Sequence, residues 1–210
     1  MNNDYIDGLN MVREPETTYA EYLGGKKQGE YTVDDFEKLP EDQRMELIDG
    51  VLYDMAEPTT VHQMIVGKLH ALLLDLIARS GKDCVPFVAP CNVKLDFDDD
   101  KTIVEPDVFV VCDRSKISKK RIDGAPDLVI EVISPSSKKK DYYIKHERYA
   151  RAKVREYWIV DIERERVTVH DMVEDMIHLY TFDDKVPICI SGGEMEVDFK
   201  EISDYISLLL

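Results

Sequence analysis

The sequence predicts an α/β (α+β) protein in which a mixed central β-sheet is flanked by α-helices. Short apolar runs bounded by Pro, Gly or Asp recur along the chain and are typical of strands. A longer run over residues 60–80 has its apolar side chains at helical spacing. The predicted order is helix, hairpin, helix, strands, helix and strands, which favours helices packed on a mixed sheet.

The length of 210 residues indicates one domain with a short extension. Residues 1–31 lack a clear period and carry a flexible-loop signal at residues 24–29. We therefore assign residues 1–31 to an N-terminal extension and residues 32–210 to the domain.

The secondary structure follows from periodicity and from turn residues. Asp49-Gly50 predicts a two-residue hairpin turn, and Gly81 is suited to end a helix that begins at Thr59 or Thr60. The predicted elements are a short helix after Thr32, strands at 45–48 and 51–55, a helix at 60–80, strands at 93–97, 104–112 and 127–133, a helix at 138–152, strands at 156–161, 167–172 and 176–182, and a short helix at 202–210.

The net charge of −16 is unusual for a protein that binds nucleic acid. Residues 114–155 nevertheless hold 13 Lys or Arg against five Asp or Glu, so this segment carries +8 and the rest of the chain −24. A solvated helix face and a polar loop would explain such a segment equally well. The acidic remainder repels nucleic acid at long range, so we expect no strong non-specific binding.

The remaining composition indicates a cytoplasmic protein that does not enter a membrane. No stretch approaches the roughly 20 uninterrupted apolar residues of a membrane helix, and residues 1–10 lack the apolar core of a signal peptide. Four widely spaced cysteines form no CxxC motif, so we expect reduced, mostly buried thiols and no zinc site. They are Cys84, Cys91, Cys112 and Cys189.

Two carboxylates, Asp107 and Glu131, lie in apolar predicted strands. An acid in such a strand is costly unless its charge is compensated, and hard divalent cations take carboxylate oxygens as ligands. If the two strands are neighbours, both carboxylates can converge on one cation. The alternatives are that Asp107 caps the start of its strand and that Glu131 forms a salt bridge with a Lys or Arg.

A basic predicted helix follows the second of these strands. Asp141, Lys145 and Arg148 fall at positions i, i+4 and i+7 and share one helix face. An ammonium near a bound phosphate can stabilise developing charge or orient a water molecule, and Lys145 is our candidate for this role. A surface pair between Asp141 and Lys145 is the alternative, and the lysines at 138–140 are other candidates.

Other chemistries find little support. The sequence has no GxSxG motif, no P-loop and no HExxH motif. His62, near the start of the long helix, could serve a site, although a lone histidine there is more often structural.

A series of motifs runs in order through residues 46–161. They are Glu46-Leu47-Ile48-Asp49-Gly50, His62, Glu105-Pro106-Asp107, Pro126-Asp127-Leu128-Val129-Ile130-Glu131-Val132-Ile133-Ser134-Pro135-Ser136, Asp141, Lys145, Tyr149 and Glu156-Tyr157-Trp158-Ile159-Val160-Asp161. In order and spacing they resemble the Uma-two family of "putative restriction endonucleases", within the PD-(D/E)XK nuclease superfamily. The resemblance covers about residues 32–200.

The resemblance implies a restriction-endonuclease-like core and Mg²⁺, or Mn²⁺, held by Asp107 and Glu131. It also implies that Glu46 supports the site, as we expect of Asp141 and His62.

Two positions depart from the family pattern. Ile133 stands where the superfamily signature has its lysine, and the resemblance suggests that Lys145 has taken over that role. Lys153 stands where the family usually has a Gly, a residue suited to a left-handed helix C-cap.

These observations lead to two hypotheses. The first is a Mg²⁺-dependent endonuclease that hydrolyses phosphodiester bonds of nucleic acid, DNA in particular. The second is a nuclease-fold protein without catalytic activity that binds or regulates a partner, as Ile133 and the acidic charge suggest. Either could form a homodimer through exposed strands such as residues 167–172.

Overall fold

A computed structural model of the chain describes residues 24–40, 43–95, 100–133, 138 and 140–208. The chain divides into two compact units. The first comprises Met1–Ala56 and Phe97–Ile103, and the second comprises Glu57–Asp96 and Val104–Leu210. Most of the predicted N-terminal extension, residues 1–23, lies outside the described residues, so that assignment stays a prediction.

The first unit is built around a β-hairpin. Helix α1 (Val33–Phe36) precedes strands β1 (Met45–Ile48) and β2 (Val51–Asp54), which pair antiparallel. The predicted turn is confirmed, since Asp49 and Gly50 have φ angles of 51° and 76°, as a tight hairpin turn requires. Leu47 also pairs with Ile103 of β5 (Ile103–Val104).

The second unit contains a six-stranded mixed sheet in the order β11-β10-β9-β8-β6-β3. Strands β8 and β9 are parallel and the other neighbours are antiparallel. The strands of this unit are β3 (Val85–Val88), β4 (Val93–Lys94), β6 (Val108–Val111), β7 (Ile122–Asp123), β8 (Leu128–Ile133), β9 (Glu156–Asp161), β10 (Arg166–Asp171), β11 (Met176–Thr181), β12 (Lys185–Pro187) and β13 (Glu196–Asp198).

Helices cover both faces of the sheet. They are α2 (Thr60–Ser80), a π-helical turn (Lys140–Lys145) that continues into α3 (His146–Arg151), and α4 (Phe199–Ser207). The buried side chains of α2 and α4 pack with alternate residues of β6, β8, β9 and β10 in one core. Tyr149 of α3 contacts Tyr157 on the other set of alternate residues, so α3 lies on the opposite face.

The helix α2 is confirmed as predicted. Thr59 caps its start by accepting a hydrogen bond from the His62 N–H, and Gly81 ends it in the left-handed conformation. By length and composition alone, α2 could cross a membrane. Its buried side chains, however, form part of the core against the sheet.

The expectation of four reduced cysteines is wrong for Cys84 and Cys112, which form a disulfide. The cause is strand β3, which the sequence analysis did not predict. Its pairing of Val85 with Val111 places the two flanking cysteines side by side across the sheet. Cys91 and Cys189 carry free thiols, and the cytoplasmic location stays a prediction.

A Schellman motif ends α3 with a lysine at the position that favours glycine. The Val154 N–H bonds the Tyr149 carbonyl and the Lys153 N–H bonds the Ala150 carbonyl, both at 3.0 Å. Lys153 has a φ angle of 67°, which is costly for a residue with a Cβ atom.

We therefore expect Lys153→Gly to raise the free energy of unfolding by about 1 kcal/mol. Chemical denaturation would measure the change. Lys153→Ala is the matched control, because it removes the same charge but keeps the Cβ atom. An equal gain from both variants would show that charge, rather than backbone strain, limits stability at this position.

Candidate active site

Asp107 and Glu131 lie opposite each other on neighbouring antiparallel strands. Strand β6 pairs with β8 at Val108↔Ile130, and extending this register by one residue places Asp107 opposite Glu131. Directly opposed residues of a sheet point to the same face, with Cβ atoms about 5 Å apart. The sheet therefore brings together the two carboxylates singled out from the sequence.

Asp107 is held by the neighbouring strand and by α2. Its Oδ2 accepts a hydrogen bond from the Val132 N–H at 2.8 Å. The His62 Nε2 lies 3.2 Å from the same oxygen, and the first turn of α2 positions this ring. The backbone of the strand that carries Glu131 therefore orients the Asp107 carboxylate.

Glu131 is buried and is bound by two side chains of the following helix. Lys145 Nζ donates to Glu131 Oε1 at 2.8 Å, and the Tyr149 hydroxyl donates to the same oxygen at 2.7 Å. All three side chains are almost fully buried. The salt bridge considered as an alternative for Glu131 is therefore present, and it uses the lysine that we proposed for the site.

A π-helical turn presents Asp141 and Lys145 to the sheet. Both residues are only 3% exposed, and Asp141 Oδ1 lies 3.6 Å from Lys145 Nζ. The interpretation of Asp141 and Lys145 as a surface pair is thus wrong. Tyr157 donates to the Asp141 carbonyl at 3.0 Å and ties this turn to strand β9. Single π-helical turns occur frequently at functional sites.

The surroundings of this network are poorly solvated and negatively charged. Burial raises the pKa of the Tyr157 hydroxyl well above its usual value of 10, and the charges of Asp141 and Glu131 raise it further. Lys145 therefore balances two carboxylates in a region of low effective dielectric.

Ile133, the lysines at 138–140 and Glu46 were also singled out from the sequence. Ile133 is buried two residues beyond Glu131 on β8, so the superfamily's lysine position lies in the core. Lys138 pairs with Asp161 and Glu163, and Lys139 lies outside the described residues. Glu46 is buried on β1 of the first unit, opposite Tyr53, and its role stays a prediction.

From the sequence, Tyr149 was named as part of the family motif, and its contact with Glu131 was not predicted. Its spacing held a signal, because Asp141, Lys145 and Tyr149 recur every four residues. Recurrence at this interval predicts one helix face. Arg148, which we had also placed on that face, bonds Glu147 at 3.1 Å.

The chemistry of the two carboxylates suits a hard divalent cation. Mg²⁺ binds oxygen ligands and is usually held by one or two carboxylates, with water and substrate phosphate completing its shell. Across the part of the chain that the structure describes, no three His, Cys, Asp or Glu side chains gather to hold a metal ion. A cation held by Asp107 and Glu131 therefore stays a prediction.

Removing one partner of the buried Lys145–Glu131 pair leaves an uncompensated charge. We expect Lys145→Met to lower the free energy of unfolding in EDTA by about 3–5 kcal/mol. Adding Glu131→Gln should recover a large part of this loss, since it removes the stranded charge. Lys200→Met, on the exposed face of α4, is the control. Strictly additive effects of the two site substitutions would contradict direct coupling.

His146, the first residue of α3, packs against His170 of strand β10. The rings of His146 and His170 lie 4.4 Å apart. Burial, and the nearby His146, lower the pKa of His170 from 6.5 to about 4. Its Nε2 is buried without a hydrogen-bond partner among the described residues.

Because the folded-state pKa of His170 lies below its unfolded value, the unfolded chain binds more protons between these two values. Stability from neutral His170 is therefore complete above about pH 6.5 and declines as the pH falls from there through about 4. We expect His170→Phe to flatten this decline in denaturation midpoints measured from pH 7 to 4. An unchanged slope in His170→Phe would contradict the assignment.

Comparisons with known proteins identify the fold and the family of this chain. The fold is similar to the crystal structure of "a putative nuclease belonging to DUF820" from Anabaena variabilis ATCC 29413, with a TM-score of 0.67 and 21% identity, covering 83% of this chain and 98% of that chain. The predicted restriction-endonuclease-like fold is thereby confirmed. No curated protein sequence matches the chain. The Uma2 family model, described as "Putative restriction endonuclease", matches residues 33–189. Since this match covers most of the chain, the protein belongs to the Uma2 family.

Proposed function

We propose that this protein is a divalent-metal-dependent nuclease that hydrolyses phosphodiester bonds of nucleic acid, with DNA as its substrate. The observation that carries the proposal is the pairing of two opposed strand carboxylates with one buried lysine. Asp107 and Glu131 face each other across β6 and β8, and Lys145 Nζ lies 2.8 Å from Glu131. Membership in the Uma2 family supports nuclease activity in general.

In this proposal Asp107 and Glu131 hold the cation, and hydrogen bonds from other groups of the protein orient each carboxylate. The Val132 N–H and His62 orient Asp107, while Tyr149 orients Glu131. A bound Mg²⁺ or Mn²⁺ would supply Lewis-acid polarisation of the scissile phosphate and lower the pKa of a water molecule.

Lys145 has two tasks at such a site. Its ammonium balances the carboxylate charge of Glu131 and Asp141. It also provides a fixed positive charge that stabilises the extra negative charge developing on a phosphate during hydrolysis. The buried Asp141 limits the directions in which the lysine can move, so the charge is positioned before the substrate arrives.

The charge distribution supports a polyanionic substrate. Basic residues of segment 114–155 form pairs with neighbouring acids, such as Arg121 with Asp123 at 2.7 Å and Arg155 with Asp127 at 3.3 Å. In each pair one side chain is about half exposed, and pairs at the surface contribute little stability, so a phosphate can replace the acid at small cost. We therefore expect binding that weakens steeply with salt.

Cleavage assays test this function. We expect the wild-type protein to cut DNA with Mg²⁺ or Mn²⁺ at low salt and to stop in EDTA. Asp107→Asn, Glu131→Gln and Lys145→Met should each lower the rate by about 100-fold or more, because each removes charge from the transition-state environment. RNA and single-stranded DNA serve as competing substrates.

The controls separate chemistry from folding. Glu194→Gln and Lys200→Met neutralise exposed side chains of the same types and should keep the wild-type rate. Circular dichroism must show that each site variant is folded at the assay temperature. Cleavage that survives EDTA, or that is equal in wild type and Glu131→Gln, would refute the proposal.

A second candidate is a nuclease-fold protein that binds nucleic acid without cutting it. The favouring observation is that Lys145 and Tyr149 already satisfy Glu131 Oε1, while Ile133 occupies the signature lysine position. This function predicts DNA binding that is unaffected by Glu131→Gln, with no product in any divalent metal.

A further inference from the structure

Strand β11 is an apolar strand at the edge of the six-stranded sheet. Among the described residues it pairs on one side only, with β10. The side chains of Ile177 and Leu179 are 63% and 68% exposed, and Met176 is also exposed. A long apolar edge strand offers unpaired backbone groups and is a template for pairing with another strand.

The homodimer predicted from the sequence cannot use the strand that we named for it. Strand β10, at residues 166–171, pairs with β9 on one side and with β11 on the other. Its backbone edges are therefore both occupied, whereas β11 pairs on one side only within the described residues.

We propose that β11 pairs antiparallel with β11 of a second copy of this chain, centred on His178. Directly opposed side chains of an antiparallel pair lie on the same face of the sheet. When a two-fold axis relates two identical strands, the axis must therefore pass between two copies of the same residue. Centring on His178 places Ile177 opposite Leu179 of the other copy and Met176 opposite Tyr180. Each apolar residue of the strand thus meets another apolar or aromatic residue.

The composition of β11 permits a second copy of this chain as the occupant, because pairing of this charge-free strand with itself opposes no like charges. The chain carries −16, so two copies repel each other over most surfaces. Strand β11, Met176–Thr181, contains no Asp, Glu, Lys or Arg. Acid-free strands are where two such chains can approach most closely, and the apolar surface gained there opposes the long-range repulsion.

Charge selects the register. Centring the pair on Leu179 would bring the acidic turn at Glu174 and Asp175 against Asp183 and Asp184 of the other copy. Like charges directly opposite each other destabilise a sheet pair. Centring on His178 shifts these acids past each other, so that Asp175 lies beside Thr181.

The dimer leaves each active site complete within its own chain. Seven strand steps of about 4.8 Å separate the two copies of β8, so the Glu131 residues lie roughly 34 Å apart along the joined sheet. A twist of about 20–25° per strand turns the two sites to nearly opposite sides. This inference is therefore independent of the proposed nuclease activity.

Sedimentation velocity over a range of concentrations tests the pairing. We expect a concentration-dependent dimer for the wild type, weakened about 30-fold or more by Ile177→Glu or by Leu179→Lys. The double variant Ile177→Glu/Leu179→Lys should restore the dimer at low salt, because in this register each new carboxylate faces a new ammonium of the other copy. Leu74→Lys and Leu208→Lys, which change other exposed leucines, should dimerise like the wild type.

Cross-linking checks the register in the same full-length protein. Under mild oxidation, His178→Cys should give a covalent dimer, while Thr181→Cys and the wild type, with its own thiols, should not. A wild-type monomer at all concentrations would overturn the proposal, whatever covers β11 instead. A dimer that Leu179→Lys leaves intact, or cross-linking through Thr181→Cys alone, would overturn it as well.

Discussion

The burial of the Glu131 carboxylate is the constraint on which the rest of the site depends. An ionised carboxylate inside a sheet requires both an opposite charge and hydrogen bonds. Lys145 and Tyr149 meet these needs through one oxygen, and they do so from the helix that follows the strand. The helix is thereby fixed over the sheet, and Asp141 and Tyr157 fix the turn at its start. One charged side chain thus determines where the neighbouring helix must lie.

The two carboxylates are held in different ways, which suits a site that binds and releases a charged substrate. Asp107 is partly exposed and accepts a hydrogen bond from a backbone N–H, which the strand holds in a fixed position. Glu131 is deeper and is balanced by Lys145, whose direction Asp141 also restricts. In the proposed nuclease, Asp107 and Glu131 would hold the cation, and Lys145 would supply positive charge near the phosphate. The lysine reaches this position from a helix, so Ile133 on the strand can remain part of the core.

The sequence was informative wherever the determinants are local. The capped helix α2, the Asp49-Gly50 turn and the two carboxylate strands follow from periodicity and turn chemistry. Strand β3 was missed because its four residues, interrupted by Pro86, are too short for a periodic signal. The Cys84–Cys112 disulfide depends on that strand and was missed with it. The direct opposition of Asp107 and Glu131 depends on strand register, which is a long-range property. The sequence could predict only that the two carboxylates converge if their strands are neighbours. The hydrogen bond of Tyr149 required knowing which helix face meets the sheet.

The uneven distribution of charge links the site to the surface. An acidic protein that acts on a polyanion must restrict attraction to one region, since repulsion elsewhere limits non-specific binding. The basic segment at residues 114–155 meets this need while most of the remaining chain is acidic. The same acidity opposes self-association, except where charge is absent. In β11 the lack of charged side chains coincides with an unpaired sheet edge in the described part of the chain. In the two proposals, attraction to substrate and attraction to a second copy therefore depend on separate elements, and a substitution in one need not disturb the other.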